Sequence, residues 1–194
     1  MSATVNRQFI LKSRPLALPT TEEVPFIESP MPTAGEGELV VKNLYMSLDP
    51  AIRGWMGDEP NYIPPIPLGS PVWCTAIGRV VDSGSPDFAV GDLVLGMHAW
   101  EDYTLTTAEA AGKIEDTMRL PLTNFLSVLG ATGMTSYFGL LEVGDPQPGQ
   151  TLLVSGAAGA VGSIVGQIGK IKGCRVIGLA GGKEKCDWLK NDCG

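Results

Sequence analysis

The stretch Val154-Ser155-Gly156-Ala157-Ala158-Gly159-Ala160-Val161-Gly162 constrains this chain more than any other. Its glycines recur every third residue between an apolar run, Thr151-Leu152-Leu153-Val154, and a helical run over 160–171. A strand that turns tightly into a helix in the form A-x-G-x-x-G suits a dinucleotide. Gly159 lets the backbone approach a pyrophosphate, and a helix opening at Ala160 directs free N–H groups and its positive dipole end at the anion. Gly162 is expected to let that helix pack closely on the strand. Ala157 stands where the fingerprint has its first glycine, so the turn alone also fits any α/β protein with a Gly-rich turn. Its context narrows the choice, because a second strand over 175–179 and a polar helix over 183–191 complete a β-loop-α-β-α order.

That second strand ends in Leu179-Ala180-Gly181-Gly182, where an NAD protein carries an acidic residue for the ribose about 20 residues after the glycines. Here Lys183 and Lys185 follow instead. A cation at this point pairs with the 2′-phosphate of NADP(H), so NADP is expected over NAD. On spacing alone Lys185 reads equally well as an ordinary exposed helix lysine.

The residues before this region have a different texture. Runs over 38–46, 72–81 and 92–97 are rich in β-branched and aromatic residues and are bounded by Pro and Gly, with a turn at Phe88-Ala89-Val90-Gly91-Asp92. Twenty-five glycines and 15 prolines without a period imply many tight turns. From residue 120 the pattern becomes helical, over 122–129 and 134–141, followed by Gly144-Asp145-Pro146-Gln147-Pro148-Gly149. A boundary is expected there, with domains over 1–119 and 120–194.

Charge and cysteine usage exclude several functions. Fourteen Lys and Arg against 21 Asp and Glu give a net charge of -7 with no basic run, which argues against nucleic acid as a partner. The apolar piece Phe9-Ile10-Leu11 is too short for a secretory core or membrane anchor. The uncharged stretches 120–141 and 146–169 are interrupted by glycine and polar residues, so they read as soluble core, and a cytoplasmic protein without a membrane partner is expected. Cys74, Cys174, Cys186 and Cys193 show no C-x-x-C spacing, which predicts reduced thiols rather than disulfides or a structural zinc site.

Several motifs, in order, resemble one family. They are Leu44-Tyr45-Met46-Ser47-Leu48-Asp49-Pro50 with Arg53-Gly54, Leu129-Gly130-Ala131-Thr132-Gly133-Met134-Thr135-Ser136-Tyr137, and Gly156 to Gly162 with Gly166-Gln167-Ile168-Gly169-Lys170. Gly173-Cys174-Arg175-Val176 and Ala180-Gly181-Gly182 with Glu184-Lys185 complete the series. The chain is similar to the zinc-independent medium-chain dehydrogenase/reductases, in particular the prostaglandin, leukotriene and curcumin reductase group of alkenal/one oxidoreductases. The resemblance implies an α/β plus β fold, a GroES-like β-barrel followed by a Rossmann domain, an NADP(H) cofactor, and reduction of the C=C bond of an enone or alkenal. It also implies a homodimer in the full-length form.

By motif position the resemblance assigns Gly159, Ala160, Val161 and Gly162 to the pyrophosphate, Lys185 to the 2′-phosphate, and Gly181, Met134 and Thr135 to further cofactor contacts. Tyr62, in Asn61-Tyr62-Ile63-Pro64-Pro65, is the tyrosine placed to donate to the substrate oxygen, where negative charge builds. Its plainer reading is a loop tyrosine packed on prolines. Met97 and His98 stand where relatives contact substrate, with Trp100 close by. A lone histidine is more often a hydrogen-bonded or surface residue than a catalytic one. Zinc-dependent relatives carry Gly-His-Glu where this chain has Gly69-Ser70-Pro71, so no metal is expected.

Two departures from the family pattern matter. Ala51 replaces a frequent tyrosine in D-P-Y-M-R, which reshapes the cleft beside Trp55. The chain also stops after the first two strands of the nucleotide sheet, so the Rossmann domain is expected to be incomplete and the chain to have little activity of its own. A quinone reductase of the same superfamily and a non-catalytic nucleotide-binding remnant are the alternatives.

Overall fold

The computed structural model describes residues 5–115 and 119–194. Residues 116–118, which adjoin the expected boundary, and residues 1–4 lie outside the described residues. The chain divides into two compact units, Met1–Leu120 and Pro121–Gly194.

The first unit contains strands β1 (Val5–Phe9), β2 (Phe26–Pro30), β3 (Glu38–Met46), β4 (Trp73–Ser83), β5 (Leu93–Ala99), β6 (Tyr103–Thr107) and β7 (Gly112–Lys113), with helix α1 (Pro50–Trp55) between β3 and β4. β1 and β2 form an antiparallel ribbon. The others make a five-stranded antiparallel sheet in the order β6-β3-β4-β5-β7. Pro50 supplies the pre-set φ of a first helical position after the extended Asp49, which is why a short helix starts there. The Asp92 carboxylate accepts the Ala89 N–H at 2.9 Å, closing the turn that leads into β5. Leu39, Val41, Val80, Val94 and Ala111 form one core cluster, and Leu11, Ile52, Trp55, Met56, Ile66, Val72, Cys74 and Ala76 belong to a second, beneath α1. The ribbon, α1 and β6 carry no signal read in the sequence analysis.

The second unit begins with a 3-10 turn over Leu122–Leu126, then α2 (Ala131–Phe138), which widens into a π-type turn over Gly139–Gly144. β8 (Thr151–Val154), α3 (Ala160–Ile171), β9 (Arg175–Gly178) and α4 (Lys183–Asn191) follow. The two strands are parallel neighbours, with Thr151 opposite Arg175 and Val154 opposite Gly178. The helix expected over 122–129 is corrected to that single 3-10 turn. Ser127 leaves helical space at φ -118 and ψ -101, and its carbonyl accepts from the Gly133 N–H and the Thr132 hydroxyl, each at 3.0 Å. The second helix therefore starts at Ala131 rather than 134. It ends where Asp145 adopts a left-handed conformation, φ 39, directly before Pro146.

Candidate nucleotide and substrate residues

In the second unit the Gly-rich turn is held by its own backbone. Gly156 has φ 57, and its carbonyl accepts the Gly159 N–H at 2.8 Å. The Ala157 N–H donates to the Leu179 carbonyl at 2.9 Å, and the Leu179 N–H donates to the Val154 carbonyl at 2.8 Å, so the turn is pinned to the end of β9. Ala157 is buried with its methyl against Gly178, which accounts for an alanine at the first motif position. Gly159 is the extended residue before α3, at φ -81 and ψ 170, and no side chain caps the helix. The first N–H to bond back is that of Ser163, to the Gly159 carbonyl at 2.9 Å. The N–H groups of Ala160, Val161 and Gly162 are thus directed out of the helix start, a geometry that stabilises an anion.

Gly162 does not meet the strand as expected. A Cβ there would overlap the Gly156 carbonyl oxygen and come within 2.9 Å of the Ala157 Cα, so its missing side chain moulds the helix onto the turn. The close approach to the sheet falls two helical turns later at Gly169, where a Cβ would lie 2.5 Å from Leu152 Cδ2 and 3.2 Å from Val176 Cγ2.

Lys183 pairs with Asp187 one turn along α4, whereas Lys185 is exposed and enters no ion pair among the described residues. Gly181 is exposed in the loop before α4. Met134 and Thr135 lie on the exposed side of α2, and its buried positions, Gly133 and Ser136, face the other way. The Ser136 hydroxyl lies 2.7 Å from the Thr132 carbonyl and 3.1 Å from the Val161 carbonyl of α3. Sequence reasoning assigned Ser136 no role, although Gly133 and Ser136 are small residues at i,i+3 on one helix face. A cavity of about 460 Å³ lies among α3, β9 and α4, lined by residues such as Gly166, Val176 and Leu189, and includes neither Gly159 nor Lys185.

In the first unit, Tyr62 is 75% exposed and packs edge-on against Trp55, with ring centroids 6.3 Å apart. The ring thus rests on an aromatic neighbour, and the hydroxyl is bonded to none of the described residues. Ala51 packs against the core cluster that contains Trp55. Met97 and His98 are neighbours on β5 and therefore point to opposite faces of the sheet. Met97 is 48% exposed and His98 only 2%, so Met97 is open to a substrate while His98 takes its plainer reading, a hydrogen-bonded residue.

His98 belongs instead to a buried polar chain. The Glu101 carboxylate accepts from the Thr104 hydroxyl at 2.8 Å and from Asn6 Nδ2 at 3.0 Å. With its proton committed to Glu101, Thr104 accepts from Asn43 Nδ2 at 3.1 Å, and this orients Asn43 so that its Oδ1 faces His98 Nδ1 at 2.8 Å. The polarity of the chain makes Nδ1 the protonated nitrogen, leaving Nε2 as a buried acceptor without a protein partner. Burial pushes the imidazole pKa down to about 4. His98 is a neutral structural residue. Beside it on β4, burial raises the Cys74 thiol to about 12, which makes it inert while folded. Among the described residues no group of His, Cys, Asp and Glu is arranged to hold a metal ion, and no helix is long and apolar enough to cross a membrane.

A family described as the N-terminal domain of oxidoreductase matches residues 7–114. The NADPH-dependent curcumin reductase of Escherichia coli (strain K12) is 46% identical over 181 residues, covering 93% of this chain and 52% of that protein. The 2-alkenal reductase (NADP(+)-dependent) of Nicotiana tabacum is 42% identical, covering 97% of this chain and 56% of that protein. The crystal structure of CurA from Vibrio vulnificus aligns with a TM-score of 0.86 at 41% identity, over 97% of this chain and 56% of its own, and CurA has also been solved in complex with NADPH. The chain spans about half the length of the curated relatives it matches. With the family match covering more than half of its residues, the chain belongs to the oxidoreductases that carry this N-terminal domain, in the zinc-independent medium-chain dehydrogenase/reductase group that its motifs resemble.

Proposed function

We propose that the protein serves the NADPH-dependent reduction of the C=C bond of α,β-unsaturated ketones and aldehydes. In this reading residues 1–119 form a GroES-like β-barrel domain carrying substrate groups, and residues 120–194 form the N-terminal part of a Rossmann domain. The protein is cytoplasmic, and its full-length form is a homodimer.

The observation that carries the reading is the start of α3, moulded onto the Gly156 turn at Gly162, where no side chain caps the first N–H groups and they are left to an anion. Gly159, Ala160, Val161 and Gly162 hold the pyrophosphate. Lys185, unpaired where Lys183 is paired, holds the 2′-phosphate. Gly181, Met134 and Thr135 supply further contacts. When bound, the reduced cofactor supplies hydride to the β-carbon of the enone. Tyr62 donates from its free hydroxyl to the substrate oxygen as charge builds there, and Met97, on the exposed face of β5, contacts the substrate. The similarity to a curcumin reductase and a 2-alkenal reductase supports the substrate class.

Titrating NADPH by fluorescence, then adding an α,β-unsaturated ketone and following the absorbance of the reduced cofactor, tests the reading. In a form that carries the whole nucleotide domain, binding followed by enone-dependent oxidation is expected, with Tyr62→Phe lowering kcat more than it weakens cofactor binding, whereas residues 1–194 alone are expected to turn over little. No NADPH binding, or turnover of a quinone but not of an enone, overturns it.

A further inference from the structure

We propose that Ser136 is a positioning residue for the dinucleotide, holding α2 in register with the start of α3. The proposal rests on the cofactor reading above and adds to it a residue that touches no part of the cofactor.

Ser136 is fully buried. A serine within a helix ordinarily spends its hydroxyl on the carbonyl four residues back, here Thr132 at 2.7 Å. Here that one proton lies between two acceptors, because the Val161 carbonyl, outside its own helix, is also within reach at 3.1 Å. Val161 is the second residue of α3, inside the first turn whose N–H groups face the anion. Gly133, one turn earlier on α2, is also buried, against the Val128 carbonyl that precedes the helix. Met134 and Thr135 leave α2 on its exposed side. One short, buried hydroxyl therefore links two groups of cofactor contacts, the turn from Gly159 to Gly162 and the pair Met134 and Thr135. A ligand that spans both groups feels their relative placement. A ligand that reaches neither does not.

That difference separates positioning from general stability. NADPH spans the pyrophosphate turn and α2, whereas adenosine 2′-monophosphate engages only the region of Lys185. Isothermal titration of both ligands into wild type and Ser136→Ala is expected to show a roughly 3- to 10-fold rise in Kd for NADPH, the range set by loss of one buried hydrogen bond. The Kd for adenosine 2′-monophosphate should stay within about twofold on the same argument. If Ser136→Ala does not fold, Ser136→Cys, which keeps a side chain of similar shape but donates weakly, is the variant read. An unchanged NADPH affinity, or an equal loss for both ligands, overturns the proposal. Wild type that binds adenosine 2′-monophosphate but not NADPH would refute the underlying cofactor reading instead.

Discussion

His98 is the only histidine in the chain, so its protonation can be followed without interference from another imidazole. Its Nδ1–H is committed to Asn43, and Asn43 is held through Thr104 to the buried Glu101 carboxylate. Cys74, its partner across β4, carries no charge because its thiol pKa lies near 12. A folded-state pKa of about 4 against an unfolded value near 6.5 means that the unfolded chain takes up a proton the folded chain refuses. The stability contributed by neutral His98 is complete above pH 6.5 and is lost as pH falls through about 4, worth about 3 kcal/mol over the whole interval. Between pH 7 and pH 5, before most carboxylates titrate, the loss is about 2 kcal/mol. Urea unfolding at both values reads it directly. His98→Asn keeps a donor toward Asn43 but cannot titrate, so its stability should change by less than about 0.5 kcal/mol between the same two values on this account. The single imidazole Hε1 resonance of the folded protein should titrate near pH 4. Equal losses in wild type and His98→Asn, or a native imidazole titrating near 6.5, would refute the reasoning.

Three further outcomes follow from the site geometry. Gly162→Ala places a methyl against the Gly156 carbonyl and should raise the Kd for NADPH about tenfold or more by fluorescence titration; unchanged affinity would separate this turn from the pyrophosphate. Lys185→Ala should weaken NADPH by roughly 10- to 100-fold, the worth of a charge-assisted contact, while leaving NADH unaffected, and parallel titrations of the two nucleotides check it. An alkylating reagent at pH 8 should modify the half-buried Cys186 and Cys193 in the folded protein and reach Cys74 only after denaturation, as mass spectrometry of digested peptides will report.

The elements legible in the sequence are those whose cause is local. β3, β8, α3 and α4 occupy the ranges read from periodicity and turn residues, because alternation and glycine placement act within a few positions. The ribbon of β1 and β2 escaped notice, since neither strand is a long apolar run and each is held by pairing with a partner some twenty residues away. The 3-10 turn at Leu122–Leu126 reads as helix because Leu122, Phe125, Leu126 and Leu129 recur at helical spacing, and the backbone of Ser127 ends it.

Among the site residues, the Gly-rich turn is visible as residue types at a spacing, whereas the choice of Lys185 over Lys183 comes from the family resemblance. That Lys183 is occupied by Asp187 was open to an i,i+4 reading, since both residues lie on one helix. The surroundings of Gly162, Ser136 and His98 are set by neighbours brought in from elsewhere. Gly162 meets the turn and not the strand, and Ser136 meets a carbonyl 25 positions along the chain. His98 is oriented by Asn43, 55 positions away, within a network whose Asn6 and Glu101 are 95 apart. Sequence by itself determined which groups can donate, accept and turn. Tertiary structure decided which of them are desolvated together, because a buried polar group is stable only where the fold delivers its partner.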